Sequence, residues 1–222
     1  MTKERPILFS GAMVRAILDG RKTQTRRVAK VPADATDVRY WAPPCGRSQP
    51  GWANPGLNYW TPAPSGATLS NHLDACPYGQ PGERLWVRET WAQPASLDPG
   101  PTVYRADYPA CVPPGFENIP PAKAIIWKPS IHMPRAACRL RLEITGVRVE
   151  RLNDCSESDA VAEGLHILPA SGRYVVSPGE QYFGLADHDP RAVYADLWDR
   201  INGAGAWQLN PWVWAIEFRR ID

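Results

Sequence analysis

The sequence predicts a mixed α+β fold in one elaborated domain over residues 1–222, and three observations carry that prediction. Arg84 to Trp91, Cys138 to Glu150 and Trp212 to Phe218 alternate apolar and polar residues with the period of a strand. Three other stretches read as helices, from apolar residues at helical spacing in two of them and from a capping box and glycine stop in the third. Two Pro-rich tracts, at about 32–81 and 98–121, break the pattern and read as insertions.

Pro6 to Phe9 is a short apolar strand, and Met13, Val14, Ile17 and Leu18 then form one helical stripe. Asp19-Gly20 stops that helix, because Gly accepts the left-handed position at no steric cost. From Thr23 the chain reads as a strand. Lys22, Thr23, Thr25 and Arg21, Arg26 and Arg27 are thereby held close to a helix-to-strand junction; a solvated basic edge strand has the same composition. A structureless tract as long as 32–81 is rare unless it is a lid or is anchored, and Trp41, Trp52, Tyr59 and Trp60 are the candidate anchors.

Within Arg84 to Trp91, alternation puts Leu85, Val87, Glu89 and Trp91 on one face, with Arg84, Trp86, Arg88 and Thr90 on the other. Glu89 therefore needs either an arginine of the same sheet or a substrate role, since an unpaired buried charge is not tolerated. Lys128 to Arg135 is a loop pinned by prolines that offers Ser130, His132 and Arg135; His132 suits either a packed loop or a site. In the strand from Cys138, Leu140, Leu142 and Ile144 face inward, Gly146 permits a bulge, and Val147 and Val149 resume the apolar side. Ser156 to Asp159 reads as a capping box and Gly164 as the helix stop. Glu163 falls in the last turn, where the helix dipole disfavours a negative charge, so local physics does not account for it. Residues 168–187 form a connection with a hairpin expected around Tyr174 and Tyr182. Asp189-Pro190 opens a helix with Val193, Leu197, Trp198 and Ile201 as its buried stripe, and Asn202-Gly203 ends it.

A net charge of +2 argues against a strongly electrostatic nucleic-acid binder and leaves room for a local basic patch. The 24 prolines imply stiffened loops, and the 10 tryptophans a heavy core or a stacking pocket. The 5 cysteines are scattered and odd in number, which fits a reducing cytoplasm; Cys45, His72 and Cys76 match no common zinc spacing. No apolar run reaches the roughly 20 residues that span a bilayer, so a soluble, cytoplasmic protein is expected.

Gly20, Lys22, Thr25 and Arg27 meet the pattern Gly-x-Lys-x-x-Thr-x-Arg, which resembles the signature of ASCH domains. That likeness implies a PUA-like β-barrel with peripheral helices, in which Trp212 to Phe218 would be the closing strand. Gly20 to Thr23, Thr25 and Arg27 are similar to the N4-acetylcytidine amidohydrolases within that superfamily. Glu157 to Leu165 resembles the segment carrying their catalytic glutamate, which makes Glu163 its counterpart. Gly82 to Trp91 and Ile131 to Arg135 resemble the phage and prophage branch. The two insertions are departures from the compact amidohydrolases.

The resemblance implies Thr25 as nucleophile, Lys22 as its base and Glu163 as acid–base partner, with no metal or other cofactor. Lys22 would then have to be neutral, so its ordinary pKa of about 10.4 must fall by desolvation or by nearby cations. In a straight strand residues 22 and 25 point to opposite faces, so the pair requires a bend. Arg21, Arg27, Trp86, Arg88, Glu89, Ser130 and His132 are the candidate substrate-binding residues. Trp86, flanked by Arg84 and Arg88, suits stacking on a cytosine ring. The expected partner is a modified nucleoside, with an RNA-binding module or an ASCH-type ribonuclease as the alternative.

Overall fold

A computed structural model describes residues 3–29, 35–40, 58–62, 73–74, 76–97 and 100–221. The first half contains β1 (Glu4–Leu8), α1 (Gly11–Leu18), β2 (Gln24–Val28), β3 (Ala35–Tyr40), β4 (Asn58–Pro62), β5 (Leu73–Asp74), β6 (Arg84–Arg88), β7 (Trp91–Ala92) and β8 (Val103–Tyr104). The second half contains β9 (Arg141–Arg151), α2 (Glu157–Ala162), β10 (His166–Ile167), β11 (Tyr174–Val175), α3 (Pro190–Asn202) and β12 (Trp212–Arg220). The fold is mixed α+β.

Its centre is a five-stranded sheet in the order β1-β6-β9-β12-β2. The β1–β6 pair is parallel, and the other three pairings are antiparallel. Smaller sheets join β3-β4-β5, β7-β8 and β10-β11. The expected bulge near Gly146 is present, as a register shift opposite Glu217 and Phe218.

Two cores flank the central sheet. One gathers Leu85, Val87, Leu142, Ile144, Ile216 and Phe218 with Ile7, Phe9, Val14 and Ile17. A residue such as Leu142 or Ile144 contributes about 1.5–3 kcal/mol on burial. Register is therefore fixed, because a one-residue slip would turn that set to solvent. The other core packs Val193, Tyr194 and Trp198 of α3 on Val213, with Ala160 and Leu165. Val213, Trp214, Ala215 and Ile216 are consequently all buried, where simple alternation expects one exposed face. A third cluster joins Ala92, Leu97, Val103 and Ile125 to Tyr108 and Phe116, so part of the 98–121 tract is packed.

Several expectations need correction. Arg84 to Trp91 is two strands: the chain leaves the central sheet at Glu89 and pairs β7 with β8 instead. The strand expected from Cys138 begins at Arg141, after a 3-10 turn at Arg135–Ala137. The hairpin is β10–β11; Tyr182 lies in a separate 3-10 turn, Glu180–Phe183. Ile201 is 56% exposed and not part of a buried stripe. β12 lies inside the sheet between β9 and β2, not at a closing edge. Trp41, Trp52, Cys45 and His72 lie outside the described residues, and Tyr59 and Trp60 are described as backbone only.

In a flat sheet four spacings of about 4.8 Å would separate β1 and β2 by roughly 19 Å. The side chain of Arg27 nonetheless donates to the Leu8 carbonyl at 2.9 Å. The sheet therefore curls until its edges face each other; among the described residues no backbone ladder joins them. Among the described residues no helix is long and apolar enough to cross a membrane.

Candidate active site

The curl matters because of the α1–β2 junction. Gly20 adopts φ 73°, and the next two amides, of Arg21 and Lys22, both donate to the Ala16 carbonyl at 2.9 Å. β2 proper starts only at Gln24, so Lys22 sits on the turn, free of strand alternation. The junction thus bends at Gly20, but among the described residues Lys22 bonds to Glu163 and Thr25 to Arg27, not to each other. Lys22 forms an isolated bridge with Glu163, and the Thr23 amide donates to the Ala162 carbonyl at 3.0 Å. The end of α2 is thereby stitched to the motif at residues 20–27. Gly164, at φ 105°, permits the approach: a Cβ there would lie 2.8 Å from Ala16 Cβ and 3.0 Å from Lys22 Cβ.

The capping box at Ser156 and Asp159 is formed as the sequence indicates, and Glu163 is the C-cap of α2. Lys22 Nζ donates to Glu163 Oε2 at 2.7 Å and to the Glu163 carbonyl at 2.9 Å. Both side chains are almost wholly buried. Glu163 Oε1 accepts from Arg26 at 3.2 Å. The local dipole disfavours Glu163, and two buried cations offset that cost. Burial pulls the Lys22 pKa below its ordinary value; Glu163 opposes this, while Arg27 and Arg26 reinforce it. This is the direction a neutral lysine base demands.

Thr25 is fully buried, and its hydroxyl oxygen accepts from Arg27 at 2.9 Å. Phe9 lies beside both cations, with Lys22 Nζ 5.7 Å and the Arg27 guanidinium 5.3 Å from its ring centre. A cavity of about 420 Å3 opens beside these groups. Arg26, Arg27 and Glu163 line it together with Phe9, Ser10, Thr90 and Ser130, while Tyr194, Leu197, Trp198 and Ile201 of α3 form an apolar wall. Apolar walls with a few convergent polar groups are the usual make-up of a small-molecule site.

Other expected site residues lie apart. Arg21 pairs with Asp19 at 2.8 Å and donates to the Gly164 carbonyl, so it braces the junction. Trp86 already carries two guanidinium groups, of Arg88 and Arg135, 5.4 and 5.9 Å from its ring centre. Arg88 also holds the Ile131 carbonyl. Those contacts compete with stacking of a base on Trp86. His132 is exposed in a 3-10 turn, Ser130–His132, of which only Ser130 reaches the cavity.

Glu89 is buried and held by Arg139 through two hydrogen bonds of 2.9 Å. A salt bridge therefore accounts for that acid, but its partner Arg139 precedes β9 and is not an arginine of the sheet. Burial raises its pKa, against the pull of Arg139. It also borders a separate cavity of about 310 Å3, with Arg15, Thr90 and Arg105. Among the described residues no group of three or more His, Cys, Asp or Glu is placed to hold a metal ion. Burial pushes the Cys155 thiol up to about 12, which leaves it a poor nucleophile.

Sequence reasoning marked Arg26 only as a cation near Lys22, and missed Tyr194 and the α3 wall as parts of this site. Arg26 reaches Glu150 at 2.6 Å and Asp159 at 3.2 Å as well as Glu163. The available signal was an arginine beside two threonines in a short strand, which is equally the look of an edge strand. No family model matches the chain, and no curated protein or solved structure does either.

Proposed function

We propose that this protein is an amidohydrolase acting on N4-acylated cytosine nucleosides, built on a curled, PUA-like barrel of the ASCH type. The observation that carries the reading is the buried Lys22–Glu163 pair, 2.7 Å apart, of which Glu163 lines a cavity of about 420 Å3 together with Arg27. Lys22, neutral after losing its proton, takes the hydroxyl proton of Thr25 as Oγ1 attacks the acyl carbon. Arg27, already bound to that oxygen, is placed to stabilise the oxyanion that develops. The proton on Lys22 then passes along its hydrogen bond to Glu163 and on to the exocyclic nitrogen. The C–N bond breaks and cytidine leaves. Water hydrolyses the acyl ester of Thr25, releasing the carboxylic acid and restoring the hydroxyl. Thr25 is reached through Arg27, which lines the cavity and bonds to its hydroxyl, and the α3 wall receives the apolar part of the substrate.

Purified protein incubated with N4-acetylcytidine is expected to release cytidine, with little dependence on salt because the substrate is neutral. No turnover, with oligonucleotide binding that weakens steeply as salt rises, would favour the RNA-binding alternative. Salt-sensitive cleavage of RNA would favour the ribonuclease.

A further inference from the structure

Glu163 divides its carboxylate between two cations of different character. Oε2 holds Lys22, and Oε1 holds Arg26 at 3.2 Å. Arg26 is anchored on every side: Gln24 accepts from it at 2.7 Å, Glu150 at 2.6 and 2.9 Å, and Asp159 lies at 3.2 Å. Arg148 braces the same two carboxylates at 2.7 and 2.9 Å, and also pairs with Glu217. Below the guanidinium lies the ring of Tyr194, 6.0 Å away, with its hydroxyl kept neutral by burial. Cys155, on the same side, is an uncharged thiol at neutral pH.

We infer that Arg26 is the permanent counter-ion of Glu163, a positioning residue that lets Lys22 release its proton while the carboxylate keeps a partner. A guanidinium does not deprotonate in accessible conditions, whereas a buried ammonium does. Of the two cations on Glu163, only Lys22 is therefore able to titrate. Without Arg26, neutral Lys22 would leave Glu163 a buried anion with no cation and only the neutral Tyr194 hydroxyl bonded to it, a state penalised strongly enough to hold the proton on the lysine. The positive charge of Arg26 also acts on Lys22 directly and in the same direction.

Its role in turnover rests on the proposed hydrolase reading, but the charge state is measurable with no substrate present. Lysine labelled with 15N and 13C, assigned to Lys22 through Lys22→Met, reports the titration by NMR in the wild-type protein and in Arg26→Gln. Lys22 is expected to titrate below the ordinary lysine range, and its midpoint to rise by about one pH unit or more in Arg26→Gln. Arg26→Lys, which keeps a cation, is expected to restore most of the difference. Arg26→Gln with Glu150→Gln relieves the carboxylate that Arg26 would otherwise abandon, and serves if the single variant does not fold. The alkaline shift is expected in the rate–pH profile too. A Lys22 midpoint unmoved in Arg26→Gln and in Arg26→Gln with Glu150→Gln, or a wild-type Lys22 titrating at the ordinary value, would overturn the inference. A moved midpoint in a protein that hydrolyses no acylated cytidine would sink the proposed function alone.

Discussion

At the scale of single residues, Lys22 and Thr25 carry the sharpest consequences. Lys22→Met keeps an unbranched buried side chain and leaves Glu163 with Arg26, so the protein is expected to stay folded. Its turnover of N4-acetylcytidine is expected to fall by about 10²–10⁴-fold, the usual worth of a positioned acid or base. Lys22→Arg should fail equally, because that side chain cannot become neutral. Near-normal turnover in Lys22→Arg would rule out the base role. Thr25→Val conserves volume and removes the proposed nucleophile. It also leaves Arg27 without one acceptor, which costs about 1–3 kcal/mol if the donor stays dry. Loss of activity with a small drop in denaturation midpoint is the expected pair of results, and an active Thr25→Val would point to direct attack by water.

At the scale of elements, the site depends on how closely the end of α2 approaches the turn after α1. Gly164 sits at a positive φ with a Cβ-sized gap to Ala16 and Lys22 that is already too small. Gly164→Ala is expected to cost about 1–3 kcal/mol in backbone strain alone. It should also push Lys22 away from Glu163, so turnover should fall further than stability does. A variant that lost stability but kept full turnover would show that the close approach serves packing only. Much of this level was legible beforehand. Both capped helices, the glycine stop after α1 and the bulge near Gly146 follow from local chemistry, which acts within a few residues. The break at Glu89 was not legible, because Trp91 continues the apolar alternation while its backbone pairs with a different sheet.

At the scale of the whole molecule, the buried charges make stability depend on pH. Burial opposes ionisation of Asp159, but hydrogen bonds from Ser156 and the charges of Arg26 and Arg148 outweigh it, lowering the pKa from 3.8 to about 2. The folded state therefore binds fewer protons than the unfolded state between those values. That stabilisation is whole above pH 3.8 and is lost as pH falls toward 2. Urea midpoints measured from pH 5 to 2 should drop, and the drop should be shallower in Asp159→Asn. For Lys22 the sign works on the alkaline side. Its folded pKa is depressed, so stability rises with pH between that value and 10.5. Equal acid slopes in wild type and Asp159→Asn would mean that the Arg26 network does not control acid unfolding.

The helices, the strands of the central sheet and the two motifs at residues 20–27 and 156–165 were legible in the sequence, since periodicity and caps are local properties, whereas β3–β5, β7 and β8 were not. The sequence also singled out Glu163, as an acid that local physics leaves unexplained. The two hydrogen bonds from Lys22 to Glu163 are visible only in the folded chain, because the residues lie 141 positions apart. The same holds for the apolar wall of the cavity: Ile201 reads as core by helical spacing but lies exposed beside Arg27. The physical reason is the curl of the central sheet. It brings β1, β2 and α3 around one space, and no pattern within a single element encodes which faces will meet there.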